Sequence, residues 1–357
     1  MKSFRKYFSH HFMESLMRAF VMTVLAALLA FTFATFSKAL RYNYQPYGYA
    51  KPFDLVVSVS GSVSVLGAVA AILSTVIPIL ELVGFKNRRN MDSLLALPIS
   101  RTKMALAHYL NGIVELIFAN GVCFALVAIK MIPLADVYSI PSLLLYYVLL
   151  MLGSLAVYSV FFFVFMQGNT VADGVIFMTL YSLIGMLVVV TIEALDDTHG
   201  ASDMQFSYWS PFSPIVFVTD IFERFITPSV KYDGSIGPSA LIRTEPINLD
   251  WKELNTFYLV LWCVIGAASV IGYLFFFSKQ RTECIGGISS SPFGYMTLIP
   301  LCALCFILIS VSGIAGVLIL IATVVGYIIY RRSVRLRPAD LICIGVIAFL
   351  IFSGIEF

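Results

Sequence analysis

Long apolar runs alternate along this chain with short polar ones, and most of the runs are long enough for a helix to cross a bilayer, which takes roughly 20 residues. The stretches are Arg18 to Phe36, Leu55 to Phe85, Met104 to Ile129, Ser142 to Met166, Val171 to Ile192, Asn255 to Phe277, Tyr295 to Ser312, Ile314 to Tyr330 and Ala339 to Ile355. The seventh and eighth are separated only by Gly313, so they read either as two crossings or as one shallow re-entrant hairpin. The pattern therefore predicts an all-α polytopic membrane protein with eight or nine transmembrane helices. Ser58, Ser60, Gly61, Ser62 and Ser64 alternate with valine in the manner of a strand, but an open strand leaves its backbone unpaired in lipid, so the second span is expected to be helical throughout. Its Gly67, Ala71 and Thr75 repeat a small residue at every fourth position, which permits close helix contact.

Composition agrees with the pattern. Of 357 residues, 60% are apolar and 12% charged, with a mean hydropathy of +0.93. A disordered chain, a disulfide-stapled secreted domain and a water-soluble enzyme would each need more charge or more cysteine. Cys123, Cys263, Cys302, Cys305 and Cys343 fall within spans and Cys284 just beyond one, so no extracellular disulfide is expected; the Cys302/Cys305 pair reads as small apolar packing, not as a metal site.

The charges set an orientation. With the N-terminus in the cytosol and nine spans, fifteen Lys and Arg residues lie inside and eight outside, as the positive-inside rule favours. The first apolar run is too long for a signal h-region and reads as a retained anchor. Ahead of it, in residues 1–17, Phe4, Tyr7, Phe8, Phe12 and Leu16 interleave with Lys2, Arg5, Lys6 and His10, which suggests an amphipathic helix on the inner leaflet. Residues 18–192 then hold spans one to five, 193–254 an extracellular loop, and 255–357 spans six to nine. The loop carries ten acidic residues against Arg224, Lys231, Arg243 and Lys252. Within it, Ile215, Val218, Phe222 and Phe225 form one stripe of a short helix over Ile215 to Ile226, resting at the outer interface or folded into an aromatic cluster, with Asp220 spaced to pair with Arg224.

The hairpin between spans two and three, residues 86–103, is short, basic and patterned. Met91, Leu94 and Leu95 fall at i, i+3 and i+4 beside Arg88 and Asp92; Pro98 stops that helix and Ser100 is placed to cap the next. A helix, a rigid break and a restart into the membrane suit a lever. Deeper in the third span, Glu115 sits about halfway along, flanked by Asn111 and Asn120. An ionisable group at that depth is either part of a pathway or a fastener to a neighbouring helix.

On these residues the chain resembles the membrane subunits of type-2 ABC exporters. Glu81, the Lys86/Arg88/Arg89 cluster and Leu94-Leu95-Ala96-Leu97-Pro98-Ile99-Ser100-Arg101 look like the coupling helix of that family and the turn that follows it. Arg281-Thr282-Glu283-Cys284-Ile285-Gly286-Gly287 is similar to a second cytosolic element of Gram-positive permeases of the antibiotic-resistance and envelope-stress type. The leader is similar to the family's connecting helix, and the aqueous loop to its extracellular helices. The resemblance covers most of Met1 to Gly287; the last spans exceed the family's six-span core.

The resemblance implies that Met91 to Leu97 docks on a separate cytosolic ABC ATPase dimer, with Arg88, Arg89, Asp92, Pro98, Ser100 and Arg101 at the coupling surface, Lys86 and Lys103 framing it, and Arg281, Glu283 and Gly286 forming the second element. It also implies a second permease chain, identical or different, with Ser62, Ser64, Thr75, Thr179, Ser182 and Thr191 as candidate pathway positions. ATP and magnesium would be bound by the partner, because this chain has no G-x-x-x-x-G-K-[ST] phosphate loop and so carries no ATPase site of its own. No cofactor, resident metal, catalytic residue or nucleic-acid partner is expected. The function expected is ATP-driven export or extraction of an amphiphilic substrate, such as a peptide antibiotic or a lipid-linked compound, from a bacterial plasma membrane. The alternative is a non-transporting sensor or scaffold that signals through the basic hairpin.

Overall fold

The computed structural model describes residues 2–34, 37–41, 54–58, 60–131, 140–195, 212–221, 253–279, 291–309, 313–331 and 335–352, together with 230–231, 243–244, 283, 285–287, 289 and 333. Helices dominate: α1 (Lys2–Phe33), α2 (Ser60–Leu82), α3 (Arg88–Leu95), α4 (Arg101–Met131), α5 (Ile140–Gln167), α6 (Val171–Leu195), α7 (Pro214–Thr219), α8 (Glu253–Lys279), α9 (Tyr295–Ile309), α10 (Gly313–Arg331) and α11 (Pro338–Phe352). Among the described residues, six of these, α1, α2, α4, α5, α6 and α8, are long and apolar enough to cross a membrane. The protein is therefore a membrane-embedded polytopic helical protein. The helices α9, α10 and α11 are apolar but shorter; fifteen residues in α9 and in α11 rise only about 22 Å.

Two expectations change. The leader is not a separate surface helix: α1 runs unbroken from Lys2 to Phe33, and the expected boundary at residue 17 falls inside it. The second span, expected to be helical from Leu55, starts later: residues 55–58 are strand, while the alternating Ser60, Gly61, Ser62 and Ser64 are helical as expected. Asp54–Ser58 pairs antiparallel with Ser37–Arg41, Ser58 opposite Ser37, so its backbone finds a partner ahead of the helix and α2 begins only at Ser60. A second small ribbon pairs Val230–Lys231 with Arg243–Thr244.

The chain forms two compact units. The first comprises Met1–Ile77, Leu106–Ser159 and Ile215–Ala268. Here α1 lies parallel to α4, because the touching pairs rise together along both helices: Tyr7 with His108, Ser15 with Asn111, Arg18 with Glu115, and the carbonyls of Phe31 and Ala34 with Lys130. Tyr158 of α5 donates to the Tyr109 carbonyl at 3.0 Å and stands over Gly112, where a Cβ would lie 2.2 Å from its hydroxyl. Ser74 of α2 reaches the Ser154 carbonyl at 3.1 Å. The expected stripe of small residues is used at Gly67: a Cβ there would come within 2.7 Å of the Thr219 carbonyl, so α7 lies directly on α2. Phe217, Val218 and Ile221 are fully buried, and Phe217 stacks on Trp262 of α8. The short helix before α8 is thus packed into the unit; its continuation with Phe222, Arg224 and Phe225 lies outside the described residues.

The second unit comprises Pro78–Ala105, Val160–Pro214 and Ser269–Phe357. Aromatic contacts tie its parts: Phe85 meets Phe277 at 5.1 Å, Phe162 meets Tyr273 at 4.7 Å and Phe177 meets Tyr295 at 4.7 Å. Tyr295, at the start of α9, donates to Asp173 of α6 at 2.9 Å. The turn between α10 and α11 is closed by Arg331, which holds both carboxylate oxygens of Asp340 at 2.8 Å.

Candidate functional site

The Lys86–Lys103 hairpin begins as α2 tightens into a 3-10 turn over Val83–Lys86. Asn87 then caps α3, its side-chain oxygen accepting from the Arg89 backbone N–H at 3.1 Å. Sequence reasoning passed over this cap, although an Asn directly before the Arg88 run is the signal that gives it away. The helix ends at Leu95, three residues before Pro98, and its last carbonyls are taken by turn bonds: Ala96 N–H to Asp92 and Leu97 N–H to Leu94, both 3.2 Å. The restart is as expected, with the Ser100 carbonyl accepting from Met104 at 3.1 Å as α4 opens at Arg101.

Burial divides the hairpin residues. Arg88, Arg89, Asp92, Pro98 and Ser100 are exposed, Leu97 is 39% exposed, and Leu94 and Arg101 are half-buried. Met91 is fully buried within its own chain, so it anchors α3 and is not part of a free surface. The Leu95 side chain lies outside the described residues. Lys86 is also withdrawn from the surface. Its ammonium donates to the carbonyls of Met166 at 3.1 Å and Gly168 at 2.5 Å, and lies 5.4 Å from the Phe165 ring centroid. The face offered by α3 is therefore more polar and basic than the leucine pattern suggests.

Of the second element, Glu283 is exposed and Gly286 holds φ +80, a left-handed conformation natural to glycine. The Gly286 N–H donates to the Asn169 carbonyl at 3.1 Å, which ties this element to the α5–α6 turn. Arg281 lies outside the described residues.

The deep polar group is a seam between α1 and α4. Arg18 donates to Glu115 at 2.7 Å, Asn111 donates to the same carboxylate oxygen at 3.2 Å, and Ser15 and Asn111 exchange hydrogen bonds at 3.0 and 3.3 Å. Glu115 and Asn111 are buried. One step along, Tyr7 meets His108 at 3.0 Å, and the rings of His11 and His108 lie 3.9 Å apart. This favours the fastener for Glu115, with Arg18, at the start of the first apolar run, as its partner. Asn120, also buried, leaves its amide nitrogen without a hydrogen-bond partner among the described residues.

The remaining pathway candidates are satisfied locally. Thr75, Thr179 and Ser182 each donate to the carbonyl four residues back, at 2.8, 3.0 and 2.7 Å; Thr179 is exposed and Ser182 buried. Ser62 lies in α2 and Thr191 in α6, but the side chains of Ser62, Ser64 and Thr191 fall outside the described residues. No protein-family model, curated protein or solved structure matches this chain.

Proposed function

We propose that this chain is the membrane subunit of an ATP-driven transporter of the type-2 ABC exporter kind, worked by a separate cytosolic ATPase dimer that docks on the exposed face of α3. The N-terminus and the hairpin lie in the cytosol of a bacterial cell, and α7 lies at the opposite surface. The observation that carries this reading is the hairpin itself. An eight-residue helix is capped at Asn87, pinned by Met91, broken at Pro98 and continuous with two membrane-crossing helices, while Arg88, Arg89, Asp92 and Leu97 stay exposed. A merely topogenic loop needs the charges but not a capped and anchored helix.

The substrate we propose is an amphiphile such as a peptide antibiotic or lipid-linked compound, exported or extracted with the help of a second permease chain; the long apolar helices support this reading. ATP and magnesium sit on the partner. The α9–α11 helices add either further crossings or a short re-entrant hairpin beyond the six-span core. The test is purification from native membranes: a stoichiometric ATPase whose hydrolysis responds to this chain supports the assignment. A chain that purifies without one, or with an ATPase indifferent to it, overturns it in favour of a sensor or scaffold.

A further inference from the structure

The turn between α5 and α6 exposes four successive backbone carbonyls, from Met166 to Asn169, and each has a partner brought from elsewhere in the chain. Lys86 takes those of Met166 and Gly168, Ser289 takes that of Gln167 at 2.8 Å, and Gly286 takes that of Asn169. Ser291 adds a bond to the Gln167 side chain at 2.7 Å, and Tyr330 of α10 donates to the Ser289 carbonyl at 3.2 Å. The terminal carbonyls of a helix have no partner within it and carry the negative end of its dipole, which makes them suitable acceptors for a buried ammonium. A buried lysine is costly unless its charge is met in this way, so the position asks for lysine and not for a neutral side chain of equal length.

We propose that Lys86 is a positioning residue, a pin that joins the α3 hairpin to the α5–α6 turn and, through that turn, to Gly286, Ser289 and Ser291, so that these three parts move as one block. Only Asn87 separates Lys86 from the first residue of α3, and the intervening backbone is fixed by the Asn87 N–H bond to Gly84 at 3.4 Å. A load applied to α3 therefore reaches the end of α5 directly, and the start of α9 through the serine pair. The ATPase as the source of that load rests on the function proposed above; the block itself does not.

Hydrogen exchange on the full chain in lipid nanodiscs, with no ATPase present, tests the pin, so a missing motor and a failed pin remain distinguishable. Two variants approach it from opposite sides: Lys86→Met removes the ammonium, and Ser289→Ala removes the hydroxyl that holds the Gln167 carbonyl. Both are expected to speed exchange of the α3 amides 88–95 roughly tenfold or more, the effect of losing a bond of this kind, while amides 108–118 of α4 keep their wild-type rates. Unchanged α3 amides in Ser289→Ala would overturn the block even if Lys86→Met proved too disruptive to fold. A response confined to residues 83–87 in Lys86→Met would overturn it as well.

Discussion

Arg18 and Glu115 form a 2.7 Å ion pair between α1 and α4, with the Glu115 side chain only 3% exposed and Asn111 donating to the same oxygen. In an apolar surrounding neither charge is tolerable alone, so each residue explains the presence of the other. The pair sits between a tyrosine–histidine contact and the lysine that closes the far end of the same two helices, which makes α1 an integral part of the bundle.

Breaking the pair on one side should be worse than replacing both. Glu115→Ala is expected to lower stability by roughly 3–5 kcal/mol, because it removes the buried carboxylate that meets the Arg18 guanidinium at 2.7 Å, whereas Arg18→Met combined with Glu115→Leu should recover most of that loss. Unfolding in mixed micelles reads both. Equal losses for the single and double variants would show that the pair is not the fastener.

Gly112 and Gly84 give an opposed pair. A Cβ at Gly112 would strike the Tyr158 hydroxyl, while at Gly84 nothing lies within 4 Å. Gly112→Ala should cost about 1–3 kcal/mol, and Gly84→Ala should be neutral or slightly stabilising. Thermal unfolding of the two variants side by side checks the order.

Met91→Ala should loosen the hairpin without touching its free face. Truncating a fully buried methionine typically costs about 2–5 kcal/mol of local stability, so limited proteolysis is expected to cut near residues 88–97 faster than in wild type. Arg89→Glu, at an exposed position, should leave that cleavage rate unchanged while impairing the ATP-driven transport proposed for this chain.

Much of this architecture is legible in the sequence, and the misses share one cause. The apolar runs place α4, α5, α6 and α8 to within a few residues, because in lipid the length of an apolar stretch is itself the constraint. The hairpin's break at Pro98 and restart after Ser100 are local chemistry and were equally readable. What a single run cannot reveal is its partner. Tyr7, His11, Ser15 and Arg18 recur at spacings of four, four and three, and His108, Asn111 and Glu115 at three and four, yet only the parallel pairing of α1 with α4 turns two separate stripes into a seam. The aromatic residues of the leader then point to a surface helix when its polar ones are not weighed as contacts. Lys86 misleads similarly: beside Arg88 and Arg89 it reads as one more surface cation, and only the end of α5, 80 residues on, supplies the acceptors that bury it.

Site-specific photo-crosslinking in native membranes is the most direct measurement of how the hairpin is used. A crosslinker placed at Arg89 or Asp92, on the exposed face of α3, should capture a nucleotide-hydrolysing subunit, whereas one at Met91, buried in the chain, or at Met296, on the apolar surface of α9, should not. Adducts lacking any ATPase at both Arg89 and Asp92, or an ATPase captured equally at Met296, would contradict docking on α3.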